Sequence, residues 1–300
     1  MGDLGSNSFK FLIARPSSPG EPPAVVRDWL VVTRLSQGMS LEEGFSPDAM
    51  ERSVLALEGF FREVEEWSVP REQTFLIATE AVRSNPKGLS GLRHLIRERF
   101  GVGIRVLSER EEAELAFGAA RLAFPKLACA FDLGGGSLDA AWREGEGLRT
   151  LSVKVGVRVV ADRGGARPPM ELERAKRIRD ELARLLAERL APLGMVPLPC
   201  ALLGGTATTL VQLKERKLIG QLGYPLRVVL SQSDVWRQVE FLSGHTEEEI
   251  AATGFVHPKR TDVILAGALI VAALLEALDL MSLLVTDLGI RHMVAARGGI

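Results

Sequence analysis

Cysteine, tyrosine and histidine are scarce in this chain: 300 residues hold two, one and four of them. Two thiols, Cys129 and Cys200, each inside an apolar run, cannot build a disulfide scaffold. Both are expected reduced and buried in strands, as in a cytoplasmic chain. His94, His245, His257 and His292 are scattered and lack metal-ligand spacing. Aromatic residues amount to 6%, and no basic cluster accompanies the tryptophans, which argues against a base-stacking platform. Neither charge sign is in excess, with 37 Lys and Arg against 38 Asp and Glu. A broad basic face for duplex nucleic acid is therefore not expected. Long hydrophobic runs are missing too. The most apolar stretch, Val263–Leu275, lies between Asp262 and Glu276 and is shorter than the ~18 residues a bilayer requires. It predicts a buried helix and no membrane segment, and the polar start predicts no secretory signal.

What is there is a series of short strands and amphipathic helices. Phe9–Ala14 and Trp29–Ser36 are apolar runs of strand formers around the loop Arg15–Pro23. Ser46, Pro47 and helical apolar spacing predict a helix reaching Trp67. Strands are expected within Thr74–Val82 and at Ile104–Ser108, with one helix closed by Gly101 and another over Glu109–Phe124. A new unit starts after Pro125. It offers strands Leu127–Asp132 and Leu138–Arg143 around a glycine turn, a third strand, and a long helix Glu171–Ala191. A strand, turn and helix start follow from Cys200, then helices near Gln232–Leu242 and Thr261–Leu278, a strand Ser282–Thr286 and a short helix. Asp3 and Asp132 each begin Asp-Leu-Gly-x-x-Ser, and each opens the same order of elements. That order predicts two related α/β units with mixed sheets, residues 1–125 and 126–300.

Three turns have the makings of anion sites. Gly134, Gly135 and Gly136 permit close backbone approach and aim N–H groups at one point, although a plain tight hairpin looks the same. Ser137 adds a hydroxyl. Gly5, Ser6, Asn7 and Ser8 form a polar turn at the equivalent place. Gly204–Thr209 joins a Gly-Gly turn to a helix start, which favours phosphate through free N–H groups and the helix dipole. Asp3 and Asp132 end strands beside two of these turns. A carboxylate repels phosphate unless a cation stands between them, as Mg²⁺ does. Acids and turns therefore read as one site. Ser108 followed by Glu109, Glu111, Glu112 and Glu114 is also what an ordinary capped helix start looks like. Glu112, just before Leu115 and Ala116, is predicted near the buried edge. Around His257 and Arg260 a solvated loop is expected, with contact to distal phosphates as the alternative.

Six stretches occur in order: "DLGSNSF", "ATEAVRSN", "LSEREEAELAFGAA", "FDLGGGSLD", "LLGGTATTL", and "RTDVILAGALI" with "VTDLGIRHMV". Together they resemble the exopolyphosphatase/guanosine pentaphosphate phosphohydrolase family over nearly the whole chain. The resemblance implies two actin-like (ribonuclease H-like) α/β domains whose mixed sheets face each other across a cleft. It implies a cytoplasmic, Mg²⁺-dependent phosphoanhydride hydrolase, with Mn²⁺ as the alternative ion. Inorganic polyphosphate is the expected substrate, guanosine pentaphosphate (pppGpp) the alternative, and a homodimer the expected state. A non-catalytic sensor of polyphosphate or alarmone is the alternative outside the enzymes. By the same resemblance Glu112 would aim or deprotonate the attacking water, and Asp132, with Asp3 and Asp139, would hold the metal. Gly134, Gly135, Gly136 and Ser137 would hold the transferred phosphate, contacted also by Gly5, Ser6, Asn7 and Ser8. Arg83 would add a cation, and Gly205 and Thr206 would bind further phosphates.

Three departures from the family pattern stand out. Leu138-Asp139 replaces a threonine and a glutamate, and aspartate reaches one methylene less far. Glu109 replaces a glycine, and Arg110 the first acid of a triplet. Only Met1 and Gly2 precede Asp3, where the family has a first strand. Phe9–Ala14 is thus expected to lack much of a hairpin partner, and the natural start is expected upstream.

Overall fold

The computed structural model describes residues 1–299, with residues 80 and 81 described by their backbone alone. The chain forms two compact units: Met1–Leu122 together with the chain from Gly289, and Ala123–Leu288. In the first, β1 (Gly2–Leu4), β2 (Ser8–Arg15), β3 (Ala24–Val32), β4 (Leu76–Ala78) and β5 (Ile104–Val106) form a sheet in the order β3-β2-β1-β4-β5. β1, β4 and β5 run parallel, and β1–β2–β3 is an antiparallel meander. The helices are α1 (Pro47–Glu66), α2 (Glu80–Arg83), α3 (Pro86–Phe100) and α4 (Glu109–Ala123). Ser46 caps α1 by accepting from Ala49 N–H, and Gly101 closes α3 at φ 67°, as the spacing predicts. Alternate β2 residues Phe9 and Phe11 and the α1 stripe Leu57 and Phe60 are fully buried. The Phe11 and Phe60 rings stack 4.7 Å apart.

In the second unit, β6 (Cys129–Leu133), β7 (Leu138–Glu144), β8 (Gly147–Val153), β9 (Cys200–Leu203), β10 (Val228–Ser231) and β11 (Ser282–Val285) form a sheet in the order β10-β11-β9-β6-β7-β8. β6, β9 and β11 are parallel, and the other strands join antiparallel. Without β10, the order β8-β7-β6-β9-β11 repeats that of the first sheet. The sequence repeat therefore marks equivalent strand ends, at β1 and β6. The helices are α5 (Val157–Arg163), α6 (Leu172–Arg189), α7 (Gly205–Glu215), α8 (Gln232–Gly244), α9 (Glu247–Ala252) and α10 (Thr261–Ala277). α5, α9 and β10 are not legible in the sequence, being too short to show a period. α10 packs on α5, α6 and α8 and buries Val263–Val271 without a break. Its apolar surface, one ground for expecting a homodimer, is covered inside the unit. Among the described residues no helix is long and apolar enough to cross a membrane.

Two expectations change. β2 has a full hairpin partner, because β3 pairs with it from Ser8–Val32 to Arg15–Ala24; the shortness of the chain before Asp3 bears only on the β1 side. On that side the ladder extends to Leu12, whose N–H donates to Met1 O at 2.9 Å. The sequence also predicts that the second unit runs to residue 300, and it does not. Instead α11 (Ile290–Arg297) packs on β1 and β2 of the first unit. There Val294 joins Leu12, Ile77, Leu107 and Leu115 in one buried cluster. Burial of Val294 decides its place, and a short helix advertises no partner in its own sequence.

Candidate active site

In the second unit β6 carries Asp132 to the turn Gly134–Ser137, which closes when Gly134 N–H donates to Ser137 O at 2.9 Å. Behind the turn, α5 takes its carbonyls. Val157 N–H donates to Gly134 O at 3.1 Å and Arg158 N–H to Gly135 O at 2.9 Å. A trans peptide sets each C=O antiparallel to the next N–H, so the N–H groups of Gly135 and Gly136 point away from α5. Both glycines are exposed, so the turn offers two outward N–H groups side by side. Gly156 makes the backing possible, since a Cβ there would lie 2.3 Å from Gly135 O.

Asp132 and Asp139 are direct partners across β6 and β7, so their side chains share one face. Ser137 Oγ donates to Asp139 Oδ2 at 2.7 Å, so the hydroxyl expected on phosphate is turned to the shorter acid. β9 ends beside them. Gly204 adopts φ 98°, and a Cβ on it would lie 2.7 Å from Leu133 O and 3.1 Å from Asp132 Oδ1. Glycine is required there twice over, and the two turns meet at Asp132. Among the described residues no group of three or more His, Cys, Asp or Glu forms a metal cluster. Mg²⁺ asks for less, one or two carboxylates completed by waters and phosphate oxygens. The Asp132–Asp139 pair, with bare Gly204 against Asp132, fits that donor set.

α7 begins at Gly205 with no side-chain cap, which leaves its first N–H groups for a ligand. Thr206 packs its methyl and hydroxyl against Gly267 of α10, 2.6 and 2.8 Å from where a Cβ would stand. What it offers a phosphate is its N–H. Arg260, expected in a solvated loop, lies against the start of α7. A Cβ on Gly205 would lie 1.5 Å from Arg260 Nη1, so the guanidinium rests on the bare Cα. Burial pulls its pKa below the usual arginine value, and among the described residues no side chain pairs with it. A cation at the positive end of a helix calls for an anion. Nothing local to Arg260 signals this, because its partner glycine is far away in sequence.

In the first unit Asp3 is buried on β1, in register with Lys10 and Ile77. The Gly5–Ser8 turn that follows is backed as its counterpart is. Thr33 and Arg34 N–H donate to Asn7 O at 3.2 and 2.9 Å, and Ser36 N–H to Ser6 O at 3.1 Å. The N–H groups of Asn7 and Ser8 therefore point away from that segment.

α4 sorts its acids. Glu111 N–H donates to Ser108 Oγ at 3.2 Å, and the Glu111 carboxylate accepts from Ser108 N–H at 2.9 Å, a capping box. Those Ser108 bonds, and then Arg105, draw the Glu111 carboxyl down to about 2. Glu114 accepts from Arg110. Glu109 and Glu112 face Arg83, 3.7 and 3.4 Å from its guanidinium, which also donates to Leu107 O at 2.6 Å. Helix-start chemistry thus explains Glu111 and Glu114. It leaves Glu112 half-buried beside a cation, next to buried Leu115 and Ala116. Arg83, expected on the phosphate chain, stands at Glu112.

The Ppx/GppA phosphatase family profile matches residues 15–297. The chain is 30% identical over 292 residues to Exopolyphosphatase 2 of Mycobacterium tuberculosis, covering 92% of this chain and 89% of that protein. It is similar in fold to the Ppx-GppA enzyme of Aquifex aeolicus, with 24% identity, TM-score 0.80, and 99% and 97% of the two chains covered. An exopolyphosphatase from Cytophaga hutchinsonii is likewise similar in fold, with 22% identity, TM-score 0.82, and 100% and 97% covered.

Proposed function

Because the chain belongs to the Ppx/GppA phosphatase family, we propose that this phosphoanhydride hydrolase removes the terminal phosphate of inorganic polyphosphate. The observation that carries the reading is Arg260, without a side-chain partner among the described residues and laid on Gly205 at the uncapped start of α7. That cradle adjoins the Gly134–Ser137 turn through Gly204 and Leu133. Two adjoining anion cradles suit a chain of phosphates better than a single phosphate ester. The Mycobacterium tuberculosis relative is named for the same activity.

In this reading the N–H groups of Gly135 and Gly136 hold the terminal phosphoryl group. The α7 N-terminus and Arg260 hold the phosphates behind it. Glu112, oriented by Arg83, accepts the proton of the attacking water. Asp132 and Asp139 would hold Mg²⁺ or Mn²⁺, which when bound offsets the negative charge of the phosphoryl oxygens. Binding, alignment and proton removal are most of what phosphoryl transfer requires of a protein.

Phosphate release from polyphosphate, pppGpp and ATP, in Mg²⁺ and in EDTA, tests the reading. Polyphosphate is expected to show the highest kcat/KM by roughly tenfold or more, with no release in EDTA. A preference for pppGpp would overturn the polyphosphate assignment, and undiminished release in EDTA would overturn the metal.

A further inference from the structure

Two residues outside the groups assigned above tie the two anion cradles of the second unit together. Arg158 grips the Gly134–Ser137 turn by its main chain, N–H to Gly135 O at 2.9 Å. Its side chain pairs with Asp262 in the first turn of α10. Asp262 lies two residues beyond Arg260, whose guanidinium rests on Gly205. One residue thus links the first cradle to the segment that carries the cation of the second. An acid in the first turn of α10 suits the helix dipole without help, whereas a cation in the first turn of α5 does not. Arg158 is therefore the member that needs its partner. The pair is partly open to solvent, 44% for Arg158 and 25% for Asp262, and ion pairs in that setting add little to global stability. Its effect is on position.

We propose that Arg158 and Asp262 form a strut that sets the spacing between the Gly134–Ser137 turn and Arg260. The strut thereby fixes how far the terminal phosphate sits from those behind it. The inference rests on reading these elements as phosphate cradles. Both residues are positioning residues, and neither is assigned a contact with substrate.

The test uses Asp262→Asn, Arg158→Gln and Arg158→Lys in the full chain, with Asp262→Asn repeated in an Arg260→Ala chain. Phosphate release from polyphosphate gives kcat and KM, calorimetric titration with tripolyphosphate gives Kd, and thermal unfolding gives Tm. Asp262→Asn and Arg158→Gln are expected to raise KM and Kd about tenfold while moving Tm by no more than about 2 °C. Arg158→Lys keeps the charge and is expected to recover most of the affinity. With Arg260 already removed, Asp262→Asn is expected to change Kd less than about twofold, because the strut acts through that arginine. Wild-type Kd in the strut variants overturns the proposal. So does an undiminished tenfold loss in the Arg260→Ala chain, or a Tm that falls in step with affinity. A wild-type chain that binds tripolyphosphate but releases no phosphate refutes the exopolyphosphatase reading, while the Kd series still decides the strut. A wild-type chain that does not bind tripolyphosphate refutes both.

Discussion

At the scale of single residues, one methyl group separates the second cradle from its surroundings. Gly205→Ala would place a Cβ 1.5 Å from Arg260 Nη1, and a flexible arginine end can swing away from it. The fold is expected to survive with Tm nearly unchanged while KM for polyphosphate rises about tenfold; an unchanged KM would remove Arg260 from the site. The neighbouring acids of α4 give a paired comparison. Glu112→Gln is expected to lower kcat by about 10²–10⁴ with KM and Tm close to wild type. Glu111→Ala opens the capping box, so it is expected to cost about 1 kcal/mol of stability with kcat retained. Kinetics and denaturant unfolding of the two variants settle which glutamate does which job, and equal kcat values would discard Glu112 as the base. The sequence displays all four acids of this helix start, but not their partners. Ser108 caps Glu111 within one turn, whereas Arg83 reaches Glu112 from a different helix.

At the scale of elements, α11 is pinned to β3 by charge. Arg291 donates to Asp28 Oδ1 and Oδ2 at 3.1 and 2.7 Å, and His292 Nε2 lies 3.4 Å from Oδ2. Gly289 N–H donates to His292 Nδ1 at 3.0 Å, so the hydrogen-bond network assigns the ring proton to Nε2, facing Asp28. Burial alone would raise the Asp28 carboxyl, but His292 and Arg291 outweigh it and hold it at about 2, below the ordinary 3.8. A carboxyl lowered on folding stabilises the native state above its unfolded pKa. That stability is lost as pH falls from 3.8 towards 2 and is worth about 2 kcal/mol. Urea midpoints across this range are expected to drop more steeply for wild type than for Asp28→Asn, which starts less stable at neutral pH. Parallel curves would remove Asp28 from the acid transition. His292 looks like one of several scattered histidines in the sequence, because its partner is a residue of β3.

At the scale of the whole molecule, each unit has its own core, so damage to one is expected to stay local. Ending the chain after Leu288 removes Val294 from the cluster of Leu12, Ile77, Leu107 and Leu115. Hydrogen exchange is expected to accelerate in β2 and β4 and to stay unchanged in β9 and β11. Equal acceleration in both sheets would contradict independent cores. Several features were set by the sequence alone: the strand and helix periods, the caps at Ser46 and Ser108, the glycine turns and the Asp-Leu-Gly repeat that marks equivalent strand ends. Each depends on residues within a turn or two of one another, where backbone sterics and hydrogen bonding act directly. Only the tertiary structure decided that Arg260 covers Gly205, that Arg83 faces Glu112, and that the chain from Gly289 returns to the first sheet. Those outcomes depend on which surfaces bury one another across long stretches of chain, and such burial leaves no periodic trace in either partner's own residues.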